Sequence, residues 1–210
     1  LTGTGLLVAY AVDALFGRIE ASDLQGGRGT GAPADVNAYL HIGADGRVTC
    51  LVGKIEMGQG AMTSLPQLAA EELDVPLSAI DIVMGDTDLC PFDAGTWGSL
   101  STRQFGPVLR AAAAEAKAVL LLLAAERFQV PVSDLAVDAG TIVHKADRTK
   151  RVTYGQLTEG KRIERRLEGR PTLEARSAFA IVGRSTPRRD AMEKVTGRAK
   201  YAGDLMPPAA

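Results

Sequence analysis

The sequence predicts a mixed α+β domain in which an antiparallel or mixed sheet is covered by two helices. Three observations carry this expectation. The stretches VNAYLHI and VTCLVG flank the turn residues GADGR, and the first alternates in period two, which is the pattern of a hairpin with one buried face. From Ala61 the apolar residues Met62, Leu65, Leu68, Ala69 and Leu73 recur at helical spacing until DVPL stops the pattern at Pro76. A longer Ala/Leu-rich run over residues 101–128 supplies a second helix, apolar over enough of its surface to be central and well covered.

Taken in order, residues 1–34 are an apolar and Gly-rich segment. Its run LTGTGLLVAYAVDALFG is too short and interrupted to span a bilayer, and two readings stand: the remnant of a signal segment, or a buried strand ending near Phe16. Residues 35–182 form the main domain. After the hairpin and the first helix, AIDIVMG reads as a third strand and DTDLCPFDAGTWGS as a long loop punctuated by Gly, Pro and Asp. Long ordered loops in compact domains tend to be functional. Pro107 falls in the first turns of the second helix and QVPVS ends it. LAVDAGTIVHK then reads as a hairpin turning at Ala139-Gly140, and VTYGQLTEG as a strand end entering a short helix. Residues 161–176 are charge-rich and read as a solvated excursion, and residues 183–210 as a linker that opens onto a further domain.

Composition excludes several function classes. A length of 210 residues with 46% hydrophobic content suffices for a buried core, while a net charge of −1 and a pI near 6.2 leave no basic footprint for nucleic acid. Cys50 and Cys90 are far apart and show no CxxC spacing, so they read as small buried residues rather than a disulfide or metal site. His41 and His144, the only histidines, lie in no HExxH or other ligand-spaced cluster and read as strand-surface residues. No metal ligands and no catalytic residues are assigned within the chain.

Two segments carry the chemistry. In Glu56-Met57-Gly58-Gln59-Gly60 a strand meets a tight glycine turn and then a helix start. Backbone N–H groups at a helix mouth favour a negative group, and glycine allows a ligand to approach the backbone closely. The turn matches neither GxGxxG nor GxxxxGK[ST], so alone it is a weak signal. The second segment, GTWGSLSTRQFGP, places Thr96, Ser99, Ser101 and Thr102 with two glycines at the mouth of the next helix, more hydroxyls than capping requires. Two polar helix mouths from one small domain are expected to converge on a single extended ligand, polyphosphorylated or pterin-like.

The pair VGKIEMGQGAMTSLPQLAAEELDVPLSAIDIVMGDTD and GTWGSLSTRQFGPVLRAAAAEA, in that order, resembles the molybdopterin-binding part of the xanthine oxidase family of molybdenum hydroxylases. The likeness is to large subunits of the isoquinoline 1-oxidoreductase, nicotinate dehydrogenase and bacterial aldehyde dehydrogenase types, over roughly residues 36–205. The resemblance implies that Met57, Gly58, Gln59 and Gly60 hold the pterin, and that Thr96, Gly98, Ser99, Leu100 and Ser101 bind the phosphate region of the same cofactor. An amide suits a pterin edge because it both donates and accepts. It further implies molybdopterin cytosine dinucleotide carrying molybdenum, and oxidation of an aldehyde or N-heterocycle with water as the oxygen source. Electrons then leave through [2Fe–2S] clusters on a small subunit, with a cytochrome c subunit as a further partner. EKVTGRAKYAGDL resembles the opening strand of that family's α/β hammerhead domain.

Departures from the family pattern are informative. The family's catalytic glutamate lies near the end of a much longer subunit, and neither its surroundings nor an FGGxFG pterin loop occurs here. Glu56 reads as a residue that orients its loop, and Trp97 either lines a substrate entrance or anchors the long loop. The chain is therefore expected to hold cofactor, with the remaining large-subunit domains or a second large chain completing the site. Two alternatives stay open: a non-catalytic or truncated assembly module, and an α+β domain that binds a nucleotide. The apolar start favours the periplasm or the periplasmic face of the inner membrane, with the cytoplasm as the alternative.

Overall fold

The computed structural model describes residues 5–10, 37–158 and 172–206 of the chain. Its first sheet has the order β1-β2-β3-β4, with β1 Gly5–Tyr10, β2 Asn37–Gly43, β3 Val48–Val52 and β4 Ile80–Met84. The predicted hairpin is β2 and β3, antiparallel with Leu40 opposite Cys50. β1 pairs antiparallel with β2 through an irregularity between Val8 and Ala9. The strand reading of the N-terminal segment therefore holds for Gly5–Tyr10, while residues 11–36 lie outside the described residues.

β3 and β4 are parallel, with Val52 opposite Met84, and the crossover between them is helix α1, Ala61–Leu73. A parallel pair needs such a crossover, and this one uses the predicted helix with the predicted bounds. Its C-terminus is closed by Asp74 in the left-handed region (φ 50°), whose N–H bonds back to Ala70 and Glu71. The second predicted helix divides into a single turn of wide, π-type helix, Ser101–Phe105, and the regular helix α2, Gly106–Phe128. Leu40, Ile42, Val48, Cys50 and Val52 of the sheet, Leu65, Ala69 and Leu73 of α1, and Leu109, Ala112, Ala116 and Leu120 of α2 form one core. Gly106 lets α2 begin hard against α1, since a Cβ there would meet the Leu68 methyl at 3.0 Å.

A second sheet of order β5-β6-β7 comprises β5 Leu135–Asp138, β6 Thr141–His144 and β7 Arg151–Thr153, followed by the short helix α3, Tyr154–Thr158. The hairpin turns at Ala139 (φ 47°) and Gly140 (φ 77°) as predicted, both in the left-handed conformation that a two-residue turn requires. Tyr154, at the start of α3, fastens this unit to the end of α1, its hydroxyl donating to the Leu73 carbonyl at 2.8 Å. His144 ends β6 with Nδ1 accepting from Asp147 N–H at 3.0 Å, and His41 lies on β2 opposite Thr49. Among the described residues no helix is long and apolar enough to cross a membrane, and no cluster of His, Cys, Asp or Glu is arranged to hold a metal.

The stretch expected to be a linker is docked, with Arg189 N–H donating to Thr63 Oγ1 at 3.0 Å, and so is the run that leads into it. Glu71 and Glu72 of α1 are 5% and 2% exposed, so they are no part of a solvated helix face. The Glu71 carboxylate accepts from the N–H groups of Ala180, Ile181 and Val182 at 2.7–2.8 Å. Glu72 accepts from Glu174 N–H at 2.9 Å and from Arg110 Nε at 2.6 Å. A further short helix, α4 Ala191–Val195, follows, and the expected hammerhead strand is absent among the described residues: residues 198–206 hold one tight turn at Ala202–Asp204. No described sheet edge pairs with that stretch, and a strand without a neighbour leaves its ladder groups unpaired. Residues 159–171, most of the charged excursion, lie outside the described residues.

Candidate functional site

Parallel pairing of β3 and β4 sends both following loops, residues 53–60 and 85–100, out of the same sheet edge. Crevices at the carboxyl ends of parallel strands are where ligands settle in α/β units. The loops also approach closely: a Cβ on Gly53 would lie 2.6 Å from the Pro91 carbonyl oxygen, so only glycine admits the second loop there.

Specific bonds join them. Lys54 is buried, and its Nζ donates to Asp93 Oδ1 at 2.7 Å and to the Gly95 carbonyl at 2.6 Å. Asp93 Oδ1 in turn accepts from Gly95 N–H at 2.9 Å. Thr96 Oγ1 accepts from Ile55 N–H at 2.9 Å, placing the start of the second predicted segment beside the first. The Trp97 indole lies on its own loop, since a Cβ on Gly95 would fall 2.2 Å from its ring. Its ring centre is 5.8 Å from Lys54 Nζ. Trp97 is thus an anchor of the loop, yet it keeps half its surface exposed.

The glycine turn is braced from within. Glu56 Oε1 accepts from Gly58 N–H at 2.8 Å and Gly60 N–H at 2.9 Å, and Oε2 accepts from Met62 N–H at 2.8 Å. Burial alone would push the Glu56 carboxyl up, but the three donors from Gly60, Met62 and Gly58 outweigh it and hold it below the ordinary carboxylate range. The N-terminus of α1 therefore already has its anion. Gln59 is not held free either: Met57 N–H donates to its Oε1 at 2.7 Å, and its Nε2 donates to the Ile55 carbonyl at 2.8 Å. A side-chain amide has two donors and two acceptor positions, so one of each remains on the exposed side. Gly58 (φ 105°) and Gly60 (φ 87°) take backbone conformations open to glycine, and nothing stands within 4 Å of where a Gly58 Cβ would be.

The second segment carries strain. Gly98 (φ 61°) and the non-glycine Ser99 (φ 57°) are both left-handed, and Leu100 returns to the right-handed region at φ −95°. The change of hand from Ser99 to Leu100 is the pairing of left- and right-handed residues that forms an anion-binding concavity. The N–H groups of Gly98 and Ser99 and the Ser99 hydroxyl meet no partner among the described residues, whereas Leu100 N–H bonds to the Trp97 carbonyl. Ser101 is buried at the start of the π-type turn, a feature frequent at functional sites. Phe105 closes that turn edge-on against Tyr39, with ring centroids 5.7 Å apart.

Around both loops stands an apolar rim, with Met57 61%, Phe92 65%, Trp97 51% and Ile55 48% exposed, a density of large apolar groups that marks a surface made for contact. Sequence reasoning missed Lys54 and Asp93, which meet across 39 positions, and Arg188, whose Nη1 donates to the Gly58 carbonyl at 2.9 Å across 130. Neither pairing leaves a local pattern. Only a Lys inside an otherwise apolar strand end, VGKIE, could have hinted at the first.

A profile of the molybdopterin cofactor-binding domain family matches residues 14–202. A nicotinate dehydrogenase chain of Pseudomonas putida is 33% identical over 170 residues, covering 81% of this chain and 14% of that protein. The beta chain of isoquinoline 1-oxidoreductase from Brevundimonas diminuta is 28% identical over 216 aligned positions, covering 84% of this chain and 28% of that one. This chain thus spans less than a third of either relative. Solved structures of a Cu,Mo-CO dehydrogenase and of a reconstituted CO dehydrogenase from Oligotropha carboxidovorans each match 56% of this chain and 15% of theirs at 34% identity and a TM-score of 0.50.

Proposed function

This chain belongs to the molybdopterin cofactor-binding domain family of xanthine oxidase-type molybdenum proteins, and from that premise we propose that its two loops hold molybdopterin cytosine dinucleotide. The observation that carries the reading is the joining of the two segments at one sheet edge, through Ile55–Thr96 and Lys54–Asp93. Residues and group fit. The open face of Gly58 lets a flat heterocycle lie on the backbone, and the outward donor and acceptor of Gln59 match its edge. The unpartnered N–H groups of Gly98 and Ser99 suit a phosphate, with the hydroxyls of Ser99 and Ser101 and the backbone of Leu100 beside them.

Glu56 divides the labour. Because its carboxylate takes three N–H groups at the mouth of α1, a phosphate there would meet a negative charge and no free donor among them. Phosphates therefore go to the second loop and the pterin to the first. The same fact weakens the nucleotide-domain alternative, which needs the backbone N–H groups at residues 57–62 for the phosphate.

When bound, the cofactor supplies a molybdenum centre for two-electron oxidation, here of an aldehyde or N-heterocycle with water as the oxygen source. This chain's residues place and orient the cofactor. Catalytic groups come from the remaining large-subunit domains or a second large chain. Electrons leave through [2Fe–2S] clusters on a small subunit and a cytochrome c subunit, in a complex at the periplasmic face of the inner membrane. Mass spectrometry of the native complex for molybdenum, with acid release of the nucleotide, tests this. Molybdenum with CMP supports it, and an intact complex holding neither refutes it.

A further inference from the structure

We propose that the segment at residues 184–195 is a strap that sets the conformation of the glycine turn, with Arg188 as its positioning residue. The proposal rests on the reading of residues 57–60 as the pterin-binding turn. The strap is tied down on both sides of Arg188. Before it, Glu71 accepts from three successive N–H groups at residues 180–182. After it, Arg189 N–H donates to Thr63 Oγ1 at 3.0 Å, and the Arg189 guanidinium donates to the Leu77 and Ile80 carbonyls at 3.1 and 2.7 Å.

Held between these ties, Arg188 reaches over the turn. Its Nη1 donates to the Gly58 carbonyl at 2.9 Å, and its Nη2 stands 3.5 Å from Glu56 Oε1. Asp190 fixes the plane of the guanidinium with two bonds, from Nε at 3.0 Å and Nη2 at 2.9 Å, and Lys194 Nζ closes the group at 2.5 Å from Asp190 Oδ2. A two-point fork of this kind orients a guanidinium far better than one contact can, and lysine does not reproduce it. The guanidinium also lies over Gly60, where a Cβ would be 3.5 Å from Nη1.

Arg188 thus touches the carbonyl of the turn's central glycine and the carboxylate that gathers its N–H groups, while the Gln59 amide braces the turn from within. On the side where a Cβ would stand Gly58 is open, with nothing within 4 Å, so its position is set by its backbone bonds. A ligand that recognises one conformation binds in proportion to the population of that conformation. Seating the strap raises that population at residues 57–60, so strap and cofactor occupancy are coupled.

Hydrogen–deuterium exchange of the full chain, made with and without cofactor, tests the strap directly. In Arg188→Ala the amides of Gly58, Gly60 and Met62 are expected to exchange about tenfold faster in the cofactor-free chain, with the β3 amides unchanged. Arg188→Lys restores part of the protection, and Asp190→Asn gives a smaller rise in the same amides. Molybdenum retained on dilution of the holo-complex falls in the same order. Wild-type exchange at the turn in Arg188→Ala overturns the proposal, as does a rise that spreads equally through β3, which would make the residue merely structural. Faster turn exchange with unchanged molybdenum retention overturns the coupling. A wild-type complex without molybdenum would instead fail the cofactor reading, leaving the exchange comparison to decide whether the strap sets the turn.

Discussion

Lys54 Nζ lies 2.7 Å from Asp93 Oδ1, an ion pair formed across 39 residues with its two side chains only 9% and 13% exposed. It is the main tie between the loops that leave β3 and β4. Removing the cation strands a carboxylate in a poorly hydrated place, so Lys54→Met is expected to cost about 3 kcal/mol in urea unfolding. Trp97, the single tryptophan, reports on the same loop. Its emission is expected to shift to the red in that variant as the loop lifts.

Glu56→Ala removes the acceptor of three N–H groups at the start of α1 and is expected to cost about 2 kcal/mol, near the upper end of capping effects. The pH dependence has a definite sign. Because the folded carboxyl titrates below its ordinary value of 4.5, its contribution is complete above that pH and is lost as pH falls through the lower folded value. Wild-type and Glu56→Ala stabilities should therefore approach one another as pH falls below the ordinary carboxylate range.

Ser99 at φ 57° stores strain that glycine would not. Ser99→Gly is expected to raise stability by about 1 kcal/mol while weakening cofactor retention through loss of the hydroxyl. A higher urea midpoint together with lower molybdenum content checks both halves.

Cys50 lies in the core with its thiol pushed up to about 12, burial being the main cause, whereas Cys90 is partly exposed with Sγ donating to the Val83 carbonyl at 3.4 Å. Alkylation of the native chain at neutral pH should mark Cys90 and spare Cys50 until the protein unfolds. Intact-mass kinetics with and without denaturant distinguish the two.

Much of this architecture is local and therefore legible. The hairpin of β2 and β3, α1 with its bounds, β4, and the turn at Ala139-Gly140 follow from period, cap and turn residues acting within a few positions. The glycine turn and the hydroxyl-rich helix mouth are legible as segments, and parallel pairing explains why they meet. What stays hidden depends on distant partners. Glu71 and Glu72 are buried because a segment about a hundred residues later brings its N–H groups to them, and nothing beside them in the sequence signals it. Arg188 sits in a stretch whose composition is that of a linker, and only the folded chain shows that it reaches Gly58. Glu56 is legible as the residue that orients its loop, and the structure bears this out, while its service to the α1 terminus escapes capping patterns that look for Ser, Thr, Asp or Asn at the cap position.

The most direct test of the two-loop site is the molybdenum content per large chain of the assembled complex carrying Gln59→Ala together with Ser99→Ala, measured beside the wild type and a surface control such as Arg148→Ala. The expected result is full molybdenum in wild type and control, and only traces in the double variant at unchanged chain composition. A double variant that assembles with its full complement of molybdenum would contradict the assignment of the cofactor to these two loops.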